Sequence, residues 1–157
     1  MTARITGAFR VEEVPGLVQS GRPCVRLLEA LEYRVGHAES PETIVVPAGF
    51  VTDFASVPWG LWNLFPPLGA WARPAIIHDF LYATGGDGWW QPPGSNRRKW
   101  ITGPIREDWT APVYTREEAD KVFREALAIP ELGIPAWRRA VMYRAVRLGG
   151  ASGWADR

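Results

Sequence analysis

Glycines and prolines divide the first third of the chain into short runs, and this spacing limits the folds that the chain can adopt. The runs Ile5 to Val14, Val25 to Val35 and Glu42 to Val51 have strand length, and turn residues such as Pro15-Gly16 and Gly21-Arg22-Pro23 separate them. Connections this short leave no room for the helical crossovers that parallel strands require. The sequence therefore predicts antiparallel β-structure in this part.

The pattern then changes to helical spacing, and three helices are predicted: about Ala70 to Thr84, Thr115 to Ala128, and Ala136 to Leu148. Gly85-Gly86 follows the first helix, as glycine commonly does, and Thr115 with Glu118 forms a capping box that begins the second. The predicted fold class is α+β, with N-terminal antiparallel β-strands followed by three α-helices. We expect one compact domain over residues 1–157, with a core at about 4–148 and a short tail at 149–157.

The third helix has apolar residues at helical spacing, which are predicted to face inward: Trp137, Val141, Ala145 and Leu148. Four arginines form its polar side: Arg138, Arg139, Arg144 and Arg147. A basic helix face is ordinarily solvated, and binding of phosphate or lipid is the alternative.

The connection from about 85 to 113 has neither helical nor strand period and is rich in tryptophan, proline and glycine. It also carries the basic cluster Arg97-Arg98-Lys99. Irregular segments this long are uncommon inside a compact domain and are often functional or bound to a partner. We expect an irregular insertion that packs on the core or on another protein, or that contacts anionic lipid.

Charge and composition exclude several classes of protein. The net charge of +1 gives no electrostatic reason to expect nucleic acid as a partner. The lone Cys24 excludes an internal disulfide framework and favours a reducing compartment. The N-terminus lacks a signal-peptide pattern, and no segment reaches the roughly 18 apolar residues of a transmembrane helix. A cytoplasmic protein is therefore expected, either on its own or within a particle assembled there.

The pair His78-Asp79 is the strongest candidate for chemistry. Apolar residues flank it on both sides, Ile76-Ile77 before it and Phe80-Leu81 after it. Both polar side chains are therefore predicted to lie at the edge of a buried face, where a charge is costly unless it is paired or bound to a metal. Tyr82 lies one turn beyond His78 on the same side of the helix.

Asp120 lies on the apolar face of the second predicted helix, so it needs a polar partner inside the fold. His78 would provide one, with the carboxylate on one ring nitrogen and the other nitrogen left to act as a base. The alternative is a purely structural ion pair of Asp120 with Arg73 or Arg116.

A third carboxylate, Asp53, follows the last predicted strand. With Asp79 and backbone carbonyls it is expected to form an all-oxygen site of the kind that calcium prefers. Zinc is less expected, because the nitrogen and sulfur ligands are limited to His37, His78 and Cys24. The structural alternative is that Asp53 caps the turn that follows it.

A resemblance to a known family rests on several parts of the chain together: Val46 to Pro58, His78 to Tyr82, Arg116 to Asp120, Phe123, and Tyr143 to Gly149. On these residues the chain resembles the domain of unknown function 1353 family over about residues 20 to 149. That family occurs in tailed phages, prophages and gene-transfer particles. The resemblance implies a phage-type context, with other particle proteins as partners, and no established activity.

A second resemblance is local. His78-Asp79 followed by Tyr82, with a later aspartate on another helix, is similar to the core of phospholipases A2. This implies that His78 activates water, that Asp120 orients it, that Tyr82 supports the pair, and that Asp79 and Asp53 bind calcium. The disulfides beside the histidine and the glycine-rich calcium loop of that family have no equivalent in this sequence.

Two classes of function remain open on the sequence alone. The first is a phospholipase A2-like hydrolase that acts on lipid or other ester bonds during phage entry or lysis, at a membrane or lipid surface. The second is a non-enzymatic component of a phage tail or gene-transfer particle, in which the His78-Asp79 pair is structural. Cleavage of cell-wall material ranks below both, because no carboxylate pair has the pattern of a glycosidase site and Cys24 is a poor candidate nucleophile.

Overall fold

The computed structural model describes residues 4–19, 21–54, 69–87, 89–90, 99–100 and 114–154. Contacts within the chain divide it into two compact units. The first unit comprises Met1–Asp53 and Asp87–Val113, and the second comprises Phe54–Gly86 and Tyr114–Arg157. The division does not test the expectation of a single domain, which stays a prediction.

The first unit contains two three-stranded antiparallel sheets. One sheet has the order β1-β4-β5, with β1 at Ile5–Thr6, β4 at Leu31–Arg34 and β5 at Thr43–Val46. The other has the order β2-β3-β6, with β2 at Val11–Gln19, β3 at Arg22–Leu27 and β6 at Val51–Thr52. The prediction of antiparallel strands is confirmed, but each predicted run contains parts of two strands.

Alternate residues of β4 and β5 form part of the core of this unit. Leu31 pairs with Val46 and Tyr33 pairs with Ile44, and all four side chains are fully buried. Because side chains alternate between the two faces of a strand, this register puts these four side chains on one buried face, whereas Glu32, Arg34 and Val45 on the other face are partly exposed.

The insertion contains a short antiparallel pair, formed by β7 (Trp89–Trp90) and β8 (Lys99–Trp100). The expectation of a wholly irregular segment is therefore wrong at these four residues. Two members of the predicted lipid-contacting cluster, Arg97 and Arg98, lie outside the described residues, and the third, Lys99, is in β8.

The described part of the second unit contains three α-helices, α1 (Ala72–Ala83), α2 (Arg116–Leu127) and α3 (Ala136–Gly149), and α2 contacts both of the others. The predicted α+β class, with strands first and helices after them, is confirmed. Among the described residues, no helix has both the length and the apolar character needed to cross a membrane.

Burial on almost every side distinguishes α1 from the other helices. Nine of its 12 residues are buried, as expected for an interior helix that is apolar all round. Gly85 and Gly86 end it with positive φ angles, as predicted. The carbonyl of Gly86 also accepts a hydrogen bond from the N–H of Tyr114 at 2.9 Å, so the chain returns to this helix end after the insertion.

The predicted capping box begins α2. The Thr115 hydroxyl accepts the N–H of Glu118, and the Glu118 carboxylate accepts the N–H of Thr115 at 2.8 Å. This arrangement satisfies two backbone donors that a helix start leaves unpaired. The box sets the first turn of α2, and therefore the direction in which Asp120 points.

The inward face of α3 differs from the predicted one. Met142 and Val146 are buried, whereas Trp137, Val141 and Leu148 are 55%, 37% and 87% exposed. The prediction that these three side chains face inward is therefore wrong. Helical spacing alone did not distinguish the two apolar rows of this helix.

Candidate functional site

His78 lies in the middle of α1, and its ring is held between aromatic side chains. The residue is 2% exposed. Its ring centroid lies 4.1 Å from that of Tyr82, one helical turn later, and 4.8 Å from that of Phe123 on α2. Packing on both sides therefore restricts the orientation of the imidazole.

Asp120 of α2 reaches the same place from the other helix. One of its oxygens, Oδ1, lies 2.7 Å from Nε2 of His78 and accepts a second hydrogen bond from the Tyr82 hydroxyl at 2.6 Å. Asp120 is fully buried. The structure thus brings together His78, Asp120 and Tyr82, the three side chains that the sequence predicted as catalytic. Their catalytic role remains a prediction.

The second oxygen of Asp120 pairs with a residue that the sequence did not single out. Arg147, in the last turn of α3, donates to Asp120 Oδ2 at 2.7 Å. Within the described part of the chain, this arginine forms the ion pair, and the proposed alternatives Arg73 and Arg116 do not. The Arg147 side chain is 35% exposed, so its charge remains partly solvated.

Arg116 connects the cluster of His78, Tyr82, Asp120 and Arg147 to the end of α3. Its Nε donates to the Tyr82 hydroxyl at 3.3 Å, and its Nη2 donates to the carbonyls of Arg147 at 2.8 Å and Val146 at 3.4 Å. A cation at these carbonyls also interacts favourably with the negative end of the helix dipole. The sequence suggested Arg116 as an ion-pair partner of Asp120, but its guanidinium instead binds the Tyr82 hydroxyl and two backbone carbonyls of α3.

The electrostatics of the cluster favour an ionised Asp120. Burial would raise the pKa of its carboxyl, but hydrogen bonds from three side chains outweigh burial and hold that pKa below the ordinary value. Tyr82 shifts the other way, since burial and its hydrogen bond to Asp120 raise the phenol pKa well above the ordinary value. Tyr82 is therefore a hydrogen-bond donor throughout the physiological pH range.

The ionised carboxylate determines the tautomer of His78. A carboxylate can only accept, so Nε2 of the neutral imidazole carries the hydrogen and the lone pair is on Nδ1. Nδ1 lies 4.0 Å from Oδ1 of Asp79, the residue that follows. A histidine that is held by a carboxylate at one ring nitrogen and has its lone pair on the other nitrogen is the arrangement of a general base with an orienting acid.

The two predicted calcium ligands belong to different units. Asp79 lies on α1 with its side chain 11% exposed, and Asp53 follows β6 in the first unit, where it is buried. The described residues contain no group of three or more His, Cys, Asp or Glu side chains that could hold a metal ion. The predicted site combines two carboxylates with backbone carbonyls, and calcium stays a prediction.

Sequence reasoning missed Arg147 as a member of the cluster and considered Arg116 only as a partner of Asp120. Arg147 was placed only on the polar side of its helix. A buried carboxylate signals that some cation is near, but the choice among the arginines of α2 and α3 depends on how these helices pack.

Comparison with known proteins places the chain in a family. No curated protein and no solved structure matches it. A family model described as protein of unknown function (DUF1353) matches residues 25–146, which include all of α1 and α2 and most of α3. The chain therefore belongs to the DUF1353 family.

Proposed function

We propose that this protein is a hydrolase of carboxylic esters, lipid esters among them, in which His78 is the general base. The observation that carries the proposal is the hydrogen bond between His78 Nε2 and a fully buried Asp120 that also accepts from Tyr82. An oriented imidazole with its lone pair on Nδ1 is the group needed to take a proton from water at neutral pH.

The proposed reaction uses both ring nitrogens of His78. Nδ1 of His78 takes a proton from a water molecule while the water oxygen bonds to the acyl carbon of the ester. The tetrahedral intermediate then breaks its bond to the alcohol oxygen, which takes the proton back from the imidazolium. Products are a carboxylic acid and an alcohol, and the histidine returns to its neutral form. Asp120 stabilises the imidazolium through Nε2 without itself being protonated.

Tyr82 and Arg147 have a positioning role in this proposal. The hydroxyl of Tyr82 and the guanidinium of Arg147 bind the two oxygens of Asp120 at 2.6 and 2.7 Å, so the carboxylate has little freedom to rotate. A fixed carboxylate keeps the imidazole in one orientation, which general-base catalysis requires.

Calcium is a separate part of the proposal and rests on the resemblance to phospholipases A2. A bound calcium ion would polarise the ester carbonyl. In the second unit, Asp79 is the proposed calcium ligand. Isothermal titration with calcium, compared between the wild type and Asp79→Asn, tests this part independently of activity. Equal heats for both proteins would remove Asp79 from the proposal.

The second candidate function is a non-enzymatic component of a phage tail or gene-transfer particle. The observation that favours it is the burial of the cluster, since Asp120 is fully buried and His78 is 2% exposed. A buried hydrogen-bonded network of this kind is also what a purely structural role requires. In this alternative the cluster joins the three helices and the surface of the protein binds other particle proteins.

Substitution of His78 separates the two functions. His78→Asn is expected to lower hydrolysis of a generic ester and of a phospholipid by about 10²- to 10⁴-fold, which is the usual contribution of a general base. His37→Asn is the matched control, because His37 is the other histidine and is exposed. Circular dichroism must show that both variants are folded.

The accessibility of His78 provides a second measurement. Diethyl pyrocarbonate is expected to modify the exposed His37 much faster than the buried His78, and mass spectrometry of the peptides tells the two apart. Modification of His78 in step with loss of activity supports the hydrolase. Rates in His78→Asn equal to those of the wild type refute it, and co-purification of such a protein with particles would favour the structural role.

A further inference from the structure

The outer side of α3 carries exposed apolar residues in a single row. Trp137, Val141 and Leu148 are 55%, 37% and 87% exposed. At 3.6 residues per turn, these three residues and Arg144 fall within a stripe about 60° wide, opposite the buried Met142 and Val146. We call the four residues Trp137, Val141, Arg144 and Leu148 the outer face of α3.

The helix that carries this face is strongly basic. Its 14 residues include four arginines and no aspartate or glutamate, although the whole chain has a net charge of only +1. Arg144 is exposed and lies within the outer face. The guanidinium of Arg138 lies 5.2 Å from the ring centroid of Trp137, which places a second positive charge next to the apolar row.

We propose that the outer face of α3 binds the surface of an anionic lipid bilayer. An exposed tryptophan and leucine beside arginines are the side chains that interfacial helices use, because the apolar groups enter the headgroup region while the guanidinium groups remain at the lipid phosphates. The inference does not depend on the proposed catalysis, since none of these four residues belongs to the His78 cluster.

Charge and area favour a lipid surface over other occupants. Two copies of the face packed on each other would bring their arginines together without a carboxylate from α3 to neutralise them. The three apolar side chains offer roughly 300 Å² of surface, whereas one partner in a stable protein interface buries about 800 Å². An anionic bilayer satisfies both the positive charge and the small apolar area.

Sedimentation with lipid vesicles tests the proposal on the full chain. The protein is expected to bind vesicles of phosphatidylglycerol and phosphatidylcholine at least ~10-fold more tightly than vesicles of phosphatidylcholine alone, and high salt should weaken this binding. The double variant Trp137→Ser/Leu148→Ser should lose about 10-fold or more in affinity. Arg144→Gln should lose roughly 5-fold on anionic vesicles, the share of one basic residue near the surface.

A matched control comes from the first unit. Val18 and Leu28 are 62% and 40% exposed, so Val18→Ser/Leu28→Ser removes two exposed apolar side chains from another surface. This variant is expected to bind like the wild type. Because the outer face is separate from the cluster, His78→Asn should also bind like the wild type, whether or not the protein is an esterase.

Three outcomes would overturn the proposal. The first is equal affinity of the wild type and Trp137→Ser/Leu148→Ser for anionic vesicles. The second is an equal loss in the Val18→Ser/Leu28→Ser control, which would indicate nonspecific adsorption. The third is a dimer in light scattering that Leu148→Ser dissociates, which would assign the face to a second copy of the chain.

Discussion

Replacing Asp120 by asparagine tests whether the cluster is formed in solution as the structure shows it. Asparagine has almost the same shape as aspartate, so the change leaves the packing of α2 intact. It removes the negative charge that accepts from His78 and Tyr82 on one oxygen and from Arg147 on the other. The effect on stability therefore measures the polar contacts and not a cavity.

The expected cost follows from these three contacts. A hydrogen bond to a charged group contributes about 1.5–3 kcal/mol and a neutral one about 1 kcal/mol, so the bonds from His78 and Tyr82 each weaken by about 1 kcal/mol. The bond from Arg147 is lost, which costs about 1 kcal/mol because this side chain is 35% exposed and is solvated again. The buried charge no longer has to be desolvated, which offsets part of the loss. We expect a net destabilisation of about 2–3 kcal/mol.

Urea unfolding of the wild type and Asp120→Asn, followed by circular dichroism, measures this difference. Its pH dependence identifies the charge as the cause. Since the folded pKa of Asp120 lies below the ordinary value, its contribution is fully present above the unfolded pKa of about 4 and is lost as pH falls through the folded pKa. The two proteins should therefore differ in stability at neutral pH and converge in stronger acid, where Asp120 is protonated.

Arg147→Gln isolates one of the three contacts. We expect this variant to cost about 1 kcal/mol, and the double variant with Asp120→Asn to cost less than the sum, because the ion pair is counted in both single variants. A cost below about 0.5 kcal/mol for Asp120→Asn, or a difference that does not change between pH 7 and pH 3, would contradict the arrangement.

Three further changes have defined expectations. Tyr82→Phe should cost about 1–2 kcal/mol in urea unfolding, because the hydroxyl is lost from a buried acceptor, and an unchanged midpoint would contradict the 2.6 Å bond. Thr115→Ala should cost about 1 kcal/mol through loss of the capping box, whereas Glu118→Gln should cost less because its amide oxygen still accepts the Thr115 N–H. Gly86→Ala should cost well over 2 kcal/mol in thermal unfolding, since its φ is +82° and the added carbon would overlap the carbonyl of Tyr114. Gly133→Ala is the control at about 1 kcal/mol, because its φ is +63° and nothing lies within 4 Å; equal losses at both glycines would be inconsistent with that overlap.

Local signals account for the parts of the fold that could be predicted. Thr115 and Glu118 form a capping box within four residues, and Gly85-Gly86 ends α1 through its own backbone angles. Such features are determined by neighbours in the sequence and therefore survive in any tertiary context. The division of the β-rich part into two sheets depends instead on the pairing of β1 with β4 across more than 20 residues, which no local pattern specifies.

The candidate site shows the same distinction. Asp120 could be assigned to the apolar face of α2 from its spacing, and burial of a carboxylate implies a polar partner. His78 was the natural partner because it too lay in an apolar run. The contact of Arg147 with Asp120 could not be inferred. The four arginines of α3 point in different directions around the helix, and the sequence does not say which direction faces α2.

The contact with Arg147 also explains why the inward face of α3 was wrongly predicted. To reach Asp120 from the last turn of α3, Arg147 must lie on the side of the helix that contacts α2. The carbonyls that Arg116 binds hold the same turn. Val146 and Leu148 lie about 100° to either side of Arg147 around the helix, and Val146 is the one that is buried, whereas Leu148 is exposed. The polar contacts between the last turn of α3 and α2 thus act together with the burial of Met142 and Val146 in orienting this helix, and apolar spacing alone gives no information about those contacts.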